Sequence, residues 1–259
     1  MRTRWIALLA VSAAAALLAG CTGGKKTSSA PAGSSSGGSA SGAASAGSSS
    51  GAGSGGSAGD LSGLTAAQLL AKAQAALAAA PALHIGGAVT SQGTSTTLDF
   101  DFTDHGSKGF ITVQGSRVEL IAVNKIVYFR APDDFWKKFA AAQASAVLPV
   151  VHGRWVKVAQ GDKNFASFAA VADRQGFTAD FLTPSGAPKL GTAKAVNGIE
   201  CLALVDGDST LYVSKSDARP IEIAAGGSTG GKLDLRYGGI TEPTAPPASE
   251  VVDSSKFGG

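Results

Sequence analysis

Cysteine, histidine and methionine are scarce, at two, three and one in 259 residues. Two cysteines cannot build the multiple-disulfide framework of a small secreted domain. His84, His105 and His152 show no spacing that would make a metal site with each other or with a cysteine. Charge is low too, with 22 basic and 19 acidic residues and no block of one sign. Arg2, Arg4, Lys25 and Lys26 all precede the first acid, Asp60, so residues 60–259 hold 18 basic residues against 19 acidic ones and are near neutral. No basic stripe remains, which removes the argument for a nucleic-acid partner. Paired acids, metal-spaced ligands and a credible triad are all missing, so the sequence carries no metal, no cofactor and no catalytic residue. The expectation is a protein that is not an enzyme.

What is present begins at the N-terminus. Arg2 and Arg4 precede an uncharged apolar run at residues 5–18, the length of a signal-peptide core and too short for a comfortable membrane span. Leu18-Ala19-Gly20-Cys21 fits a lipobox, in which small residues admit the peptidase and the cysteine thiol receives a diacylglycerol. The expected organisation is a signal peptide at 1–20, a lipidated Cys21 with a tether to residue 59, and a folded domain at 60–259. Two or three acyl chains on Cys21 would anchor stably to the outer face of the cell membrane. Thr3 separates the arginines, which favours general secretion over the twin-arginine route.

From Thr22 to Gly59 the chain is almost wholly Gly, Ser and Ala, a composition unable to offset the entropy of ordering. These 38 residues have a root-mean-square reach of about 35 Å. Motif matches inside them lack the strand-to-helix context that gives such patterns meaning. This applies to Gly33-Ser34-Ser35-Ser36-Gly37 as a nucleophile pattern and to Gly51, Gly53 and Gly56 as a dinucleotide pattern.

The domain opens with a helix whose start is marked by a capping box, Thr65 with Gln68, and whose stop is Pro81. The period then becomes two. Leu98, Phe100 and Phe102 alternate with Asp99 and Asp101, and strands are predicted at 83–89, 97–103, 110–113, 117–123 and 126–130. Pro132-Asp133-Asp134 begins a segment, 135–147, that reads as one helix with two acids near the positive end of its dipole. A strand at 155–158 and short helices or lids at 165–171 and 177–181 follow. A second meander is predicted from residue 189 to 237, with Asn197-Gly198 as a tight hairpin. Cys201, alternating with Ile199 and Ala203, reads as an inert packed thiol. The expected fold class is α+β: a curved antiparallel sheet, a half-barrel of about ten strands, wrapped around a few helices.

The chain resembles the LppX and LprG type lipoproteins of actinobacteria, whose fold is similar to that of the lipoprotein carrier LolA. The residues that carry this are Val123-Asn124-Lys125-Ile126-Val127-Tyr128-Phe129-Arg130, Phe135-Trp136 and Gly153-Arg154-Trp155-Val156-Lys157-Val158. Asn197-Gly198, Leu211-Tyr212-Val213 and Tyr237-Gly238 ahead of Pro243, Pro246 and Pro247 complete the set. The resemblance spans residues 61–252 and implies a hydrophobic cavity that holds acyl chains of a lipid or glycolipid for carriage or transfer. Independently, an acyl-chain site needs concave apolar walls. Phe100, Phe102, Phe110, Leu120, Phe129, Phe139, Phe168 and Phe181 are the candidate wall residues. The alternative is a non-catalytic envelope module or sensor component that binds a protein partner.

Overall fold

The computed structural model describes residues 61–256 apart from 92, 160, 161, 163, 164 and 228, so the expected signal peptide, Cys21 and the expected tether lie outside the described residues. Helix α1, Ala66–Ala79, starts at the capping box: Gln68 N–H donates to Thr65 Oγ1, and Thr65 N–H donates back to Gln68 Oε1. Leu69, Leu70, Ala73 and Leu77 form its buried stripe.

A meander follows: β1 (Ala82–Ser91), β2 (Thr94–Thr103), β3 (Gly106–Val113), β4 (Ser116–Val123) and β5 (Ile126–Arg130). Asn124 and Lys125 take positive φ, 52° and 63°, which closes the β4–β5 hairpin with the right-handed twist of its strands. Helices α2 (Asp133–Phe139) and α3 (Ala144–Val151), strand β6 (Trp155–Lys157), and helices α4 (Ala166–Ala172) and α5 (Arg174–Phe181) come next. The second meander is β7 (Lys189–Val196), β8 (Ile199–Asp206), β9 (Ser209–Ser214), β10 (Pro220–Ala225) and β11 (Thr229–Tyr237), and the chain closes with β12 (Val251–Asp253).

All twelve strands make one open, curved sheet in the order β12-β6-β5-β4-β3-β2-β1-β11-β10-β9-β8-β7, so the fold is α+β and not a closed barrel. The two meanders are joined by β1 pairing antiparallel with β11, from Leu83 opposite Tyr237 to Ser91 opposite Thr229. At that seam the backbones approach too closely for side chains. A Cβ on Gly87 would lie 2.2 Å from the Lys232 carbonyl oxygen, and one on Gly231 would lie 2.1 Å from that of Ala88.

Alternation divides the sheet into two faces. Leu83, Ile85, Leu98, Phe100, Ile111, Val118, Leu120, Phe129, Val156, Leu233 and Leu235 are buried on the helix-covered side. There α4 packs on β3, β4 and β5, while α1 packs on α5 and β10. The opposite face carries polar rows. His84 links three strands: its Nδ1 donates to Asp101 on β2 (2.9 Å), and its Nε2 accepts from Arg236 on β11 (3.2 Å). Those partners fix the tautomer.

Two expectations are corrected. The predicted helix at 135–147 is two helices separated by a 3-10 turn at Ala141–Gln143, because Ala141 sits at φ 41°, a left-handed conformation that ends α2. Among the described residues there are twelve strands, where about ten were expected. The C-terminal strand β12 is three residues long and pairs parallel with β6, too short to show a period.

Gly231→Ala is expected to cost about 2–4 kcal/mol, since it adds both a clash and strain at φ 107°. Gly230→Ala, whose Cβ meets nothing within 4 Å, is the control and should shift the urea midpoint far less.

Candidate functional site

The side chains that the helices bring to the sheet's covered face are largely aromatic. Phe129 has ring centroids 4.7 Å from Phe165, 5.1 Å from Phe168 and 5.5 Å from Trp136. Phe102 stacks between Phe100 at 5.6 Å and Phe177 at 5.4 Å. Spacings of this kind give aromatic pairs about 0.5–1.5 kcal/mol each beyond the area they bury.

Of the eight predicted wall residues, Phe100, Phe102, Leu120, Phe129 and Phe168 come together in this single core, each at most 5% exposed. Phe110 does not join them. It lies on the opposite face, with the Arg117 guanidinium carbon 3.3 Å from its ring centroid, in a shallow groove of about 350 Å³. Phe139 stacks on Phe135 at 5.3 Å yet is 47% exposed, at the outer end of the aromatic cluster. Phe181 closes α5, and its side chain lies outside the described residues.

A cavity of about 920 Å³ lies beside this core and not within it. Its lining comes from α1, the β2–β3 turn, the β4–β5 hairpin, α4 and α5. Leu77, Ala78, Ala122, Val127, Ala169 and Ala172 supply the apolar part. None of the seven predicted wall residues with described side chains lines it. The space exists because alanines on α1, β4 and α4 stand where the helices face the sheet, so small side chains and not bulky ones border it. Alanine in a helix is read as propensity, and only the tertiary arrangement turns it into volume.

Polar residues surround the opening. Arg174, at the start of α5, donates to Asp104 Oδ1 at 2.7 Å, to the Pro81 carbonyl at 3.2 Å and to the Ala80 carbonyl. It thereby pins α5 to the end of α1 and to the β2–β3 turn. Asp173 caps α5 by accepting the Gly176 N–H at 2.8 Å. Segment 238–250 leads from β11 to β12 and passes the same end of the sheet. Glu242 Oε2 accepts from Thr103 Oγ1 at 2.6 Å, and Pro243 packs beside Gly106.

The acids and the thiol considered in the sequence have structural roles. Asp133 and Asp134 occupy the first turn of α2, where Asp133 bonds His152 Nδ1 at 2.9 Å and Asp134 bonds Lys137 at 3.2 Å. Cys201 is fully buried, and its Sγ donates to the Ile199 carbonyl. Burial pushes its thiol pKa up, the reverse of what a nucleophile requires. Among the described residues no group of three or more His, Cys, Asp and Glu is placed to hold a metal ion. No helix among them is long and apolar enough to cross a membrane.

No protein-family model matches the chain, and no curated protein does. Solved structures do. The chain is similar to LprF from Mycobacterium bovis, at 14% identity and a TM-score of 0.48, over 70% of this chain and 96% of that one. The expected resemblance to LppX and LprG type lipoproteins is met. The lipoprotein LppX from Mycobacterium tuberculosis matches at 13% identity and a TM-score of 0.42, over 68% of this chain and 98% of that one. MucB in the Pseudomonas aeruginosa MucA/MucB complex matches at 13% identity and a TM-score of 0.34, over 71% and 59%.

In the native protein Cys201 is expected to resist iodoacetamide at neutral pH and to react fully once urea unfolds the chain. Rapid native labelling, read by intact mass, would refute the packed-thiol assignment.

Proposed function

We propose that this protein is an extracytoplasmic lipoprotein that binds the acyl chains of a lipid or glycolipid for carriage or transfer. The cavity of about 920 Å³ carries the reading, because it joins an apolar lining of Leu, Val and Ala to a polar opening. Its volume falls in the range of ligand pockets, and a site of that character needs no titratable constellation. The aromatic core packs beside it, and the alanine-lined space is where chains enter. Residues 1–20 act as the signal, Cys21 as the acylated anchor, and the tether to residue 59 as the reach that lets the domain work near a membrane. The activity is non-catalytic, and neither a cofactor nor a nucleic acid takes part.

Native mass spectrometry of the full chain in a non-ionic detergent is expected to show bound lipid, or uptake of one offered phospholipid per chain. Ala169→Trp fills the cavity from α4 and should lower that occupancy at least tenfold while leaving the circular dichroism spectrum unchanged. Failure to load any amphiphile, or equal loading by the tryptophan variant, would refute the carrier reading.

A second reading, a module that binds a protein partner, is favoured by strand β7. It ends the sheet with seven of its eight residues exposed, and Leu190 (51%) and Ile199 (40%) stand uncovered on the β7–β8 hairpin. An unpaired edge of this kind can accept an added strand. A photo-crosslinker at Leu190 should then give one discrete adduct in cells, whereas recovery of uncrosslinked monomer alone would exclude this edge as the docking site.

A further inference from the structure

Helix α3 lacks what a surface helix ordinarily has. Such a helix carries charged or polar side chains toward solvent, and one that is apolar all round is buried. The 13 residues 139–151, from the end of α2 through α3, hold no charged side chain. Val147 and Val151 are buried in the core, but Phe139, Ala146 and Pro149 are exposed, and Leu148 and Val150 are only half-buried. A contiguous apolar surface of this kind marks an interaction site. Lys137 and Lys138 border the run on one side, and His152 and Arg154 on the other. Of the two acids nearby, Asp133 bonds His152 and Asp134 bonds Lys137. Lys138 and Arg154 donate to the backbone carbonyls of Gln114 and Ser249, and no carboxylate pairs with either among the described residues.

We infer that this side of α2 and α3 docks on the interface of a phospholipid bilayer, with Phe139 and the exposed side of α3 in the hydrocarbon margin and the basic residues at headgroup level. A bilayer is at hand on the lipoprotein reading, so docking rests on that reading for its setting. A protein partner is held by Tyr, Trp, Met or Arg anchors, and residues 139–151 contain none of the four. Hydrocarbon needs no such complement. It needs backbone groups bonded within the segment, as in a helix, and long cationic side chains that reach back to water. The Lys138–Gln114 bond places this surface at the β3–β4 turn, the end of the sheet opposite the β2–β3 and β4–β5 turns that border the cavity. Docking there leaves the cavity opening uncovered.

The test uses the full chain with Cys21→Ser, which removes the acylation site, and a polarity-sensitive dye at one of two positions. One is Ser145→Cys, exposed on α3; the other is Thr192→Cys, exposed on β7 at the far edge of the sheet. Cys201 is buried and stays unlabelled. Vesicles of phosphatidylcholine and phosphatidylglycerol in equal parts are expected to blue-shift the dye on α3 and to leave the dye on β7 unchanged. Phe139→Asp and Ala146→Glu should each raise the lipid concentration at half-shift at least about tenfold. Ala146 is exposed, so its variant keeps the fold even if Phe139→Asp suffers from losing the stack on Phe135. No shift on α3, an equal shift on β7, or a shift that both variants keep overturns bilayer docking. A shift that grows with protein concentration and needs no vesicles makes this surface a contact between copies and overturns it too. Native mass spectrometry of lipid uptake reads the cavity separately: uptake without docking leaves the carrier reading standing, and docking without uptake leaves the bilayer surface standing.

Discussion

The antiparallel seam between β1 and β11 is the interaction on which the rest of the structure depends. Each meander is built from neighbours in sequence, and short turns alone could make either one. Only β1 and β11 make them one sheet. The seam is long and regular, and Gly87 and Gly231 let the two backbones close where side chains would hold them apart. Once the sheet is continuous its curvature gives the helices one concave side to cover, and the polar row from Asp101 through His84 to Arg236 ties the other side across the same seam.

The covered side is divided between two kinds of residue with opposite effects. Aromatic rings from α2, α4 and α5 meet Phe100, Phe102 and Phe129 and fill the space in front of β2 and β5. Alanines on α1, β4 and α4 leave it unfilled a short distance away. Close packing is the rule in protein interiors, so a large space bordered by methyl groups is a feature held open by the rigid elements around it. Arg174 contributes to that rigidity by joining three elements at the opening.

Features set by neighbouring residues were legible in the sequence. Thr65 and Gln68 form the reciprocal cap, Asn124-Lys125 and Asn197-Gly198 turn as their types require, and period-two alternation located both meanders. Features set by distant residues were not. Nothing local in an alanine run announces that Ala141 adopts a left-handed conformation, and Val251–Asp253 becomes a strand only because β6 is there to receive it. The cavity is likewise a feature set by distant residues. Five of the large apolar residues do share one core, but the cavity beside it is bordered by small ones, whose arrangement depends on the crossing of α1, α4 and α5 over the sheet. Phe110 went to the opposite face because β3 alternates, and its own segment did not reveal which of its sides is covered.

The seam also bears on how the domain comes into being. β1 is among the first segments of the domain to be synthesised and β11 among the last, so about 140 residues separate partners that must meet. Non-local pairing of this kind is slow, since loop closure precedes any reward from contact. Until β11 arrives, the first meander presents a ten-residue strand with one side unpaired, a template for any other extended chain. A nascent molecule therefore passes through a period in which its own assembly and adhesion to its neighbours compete for the same row of backbone amides.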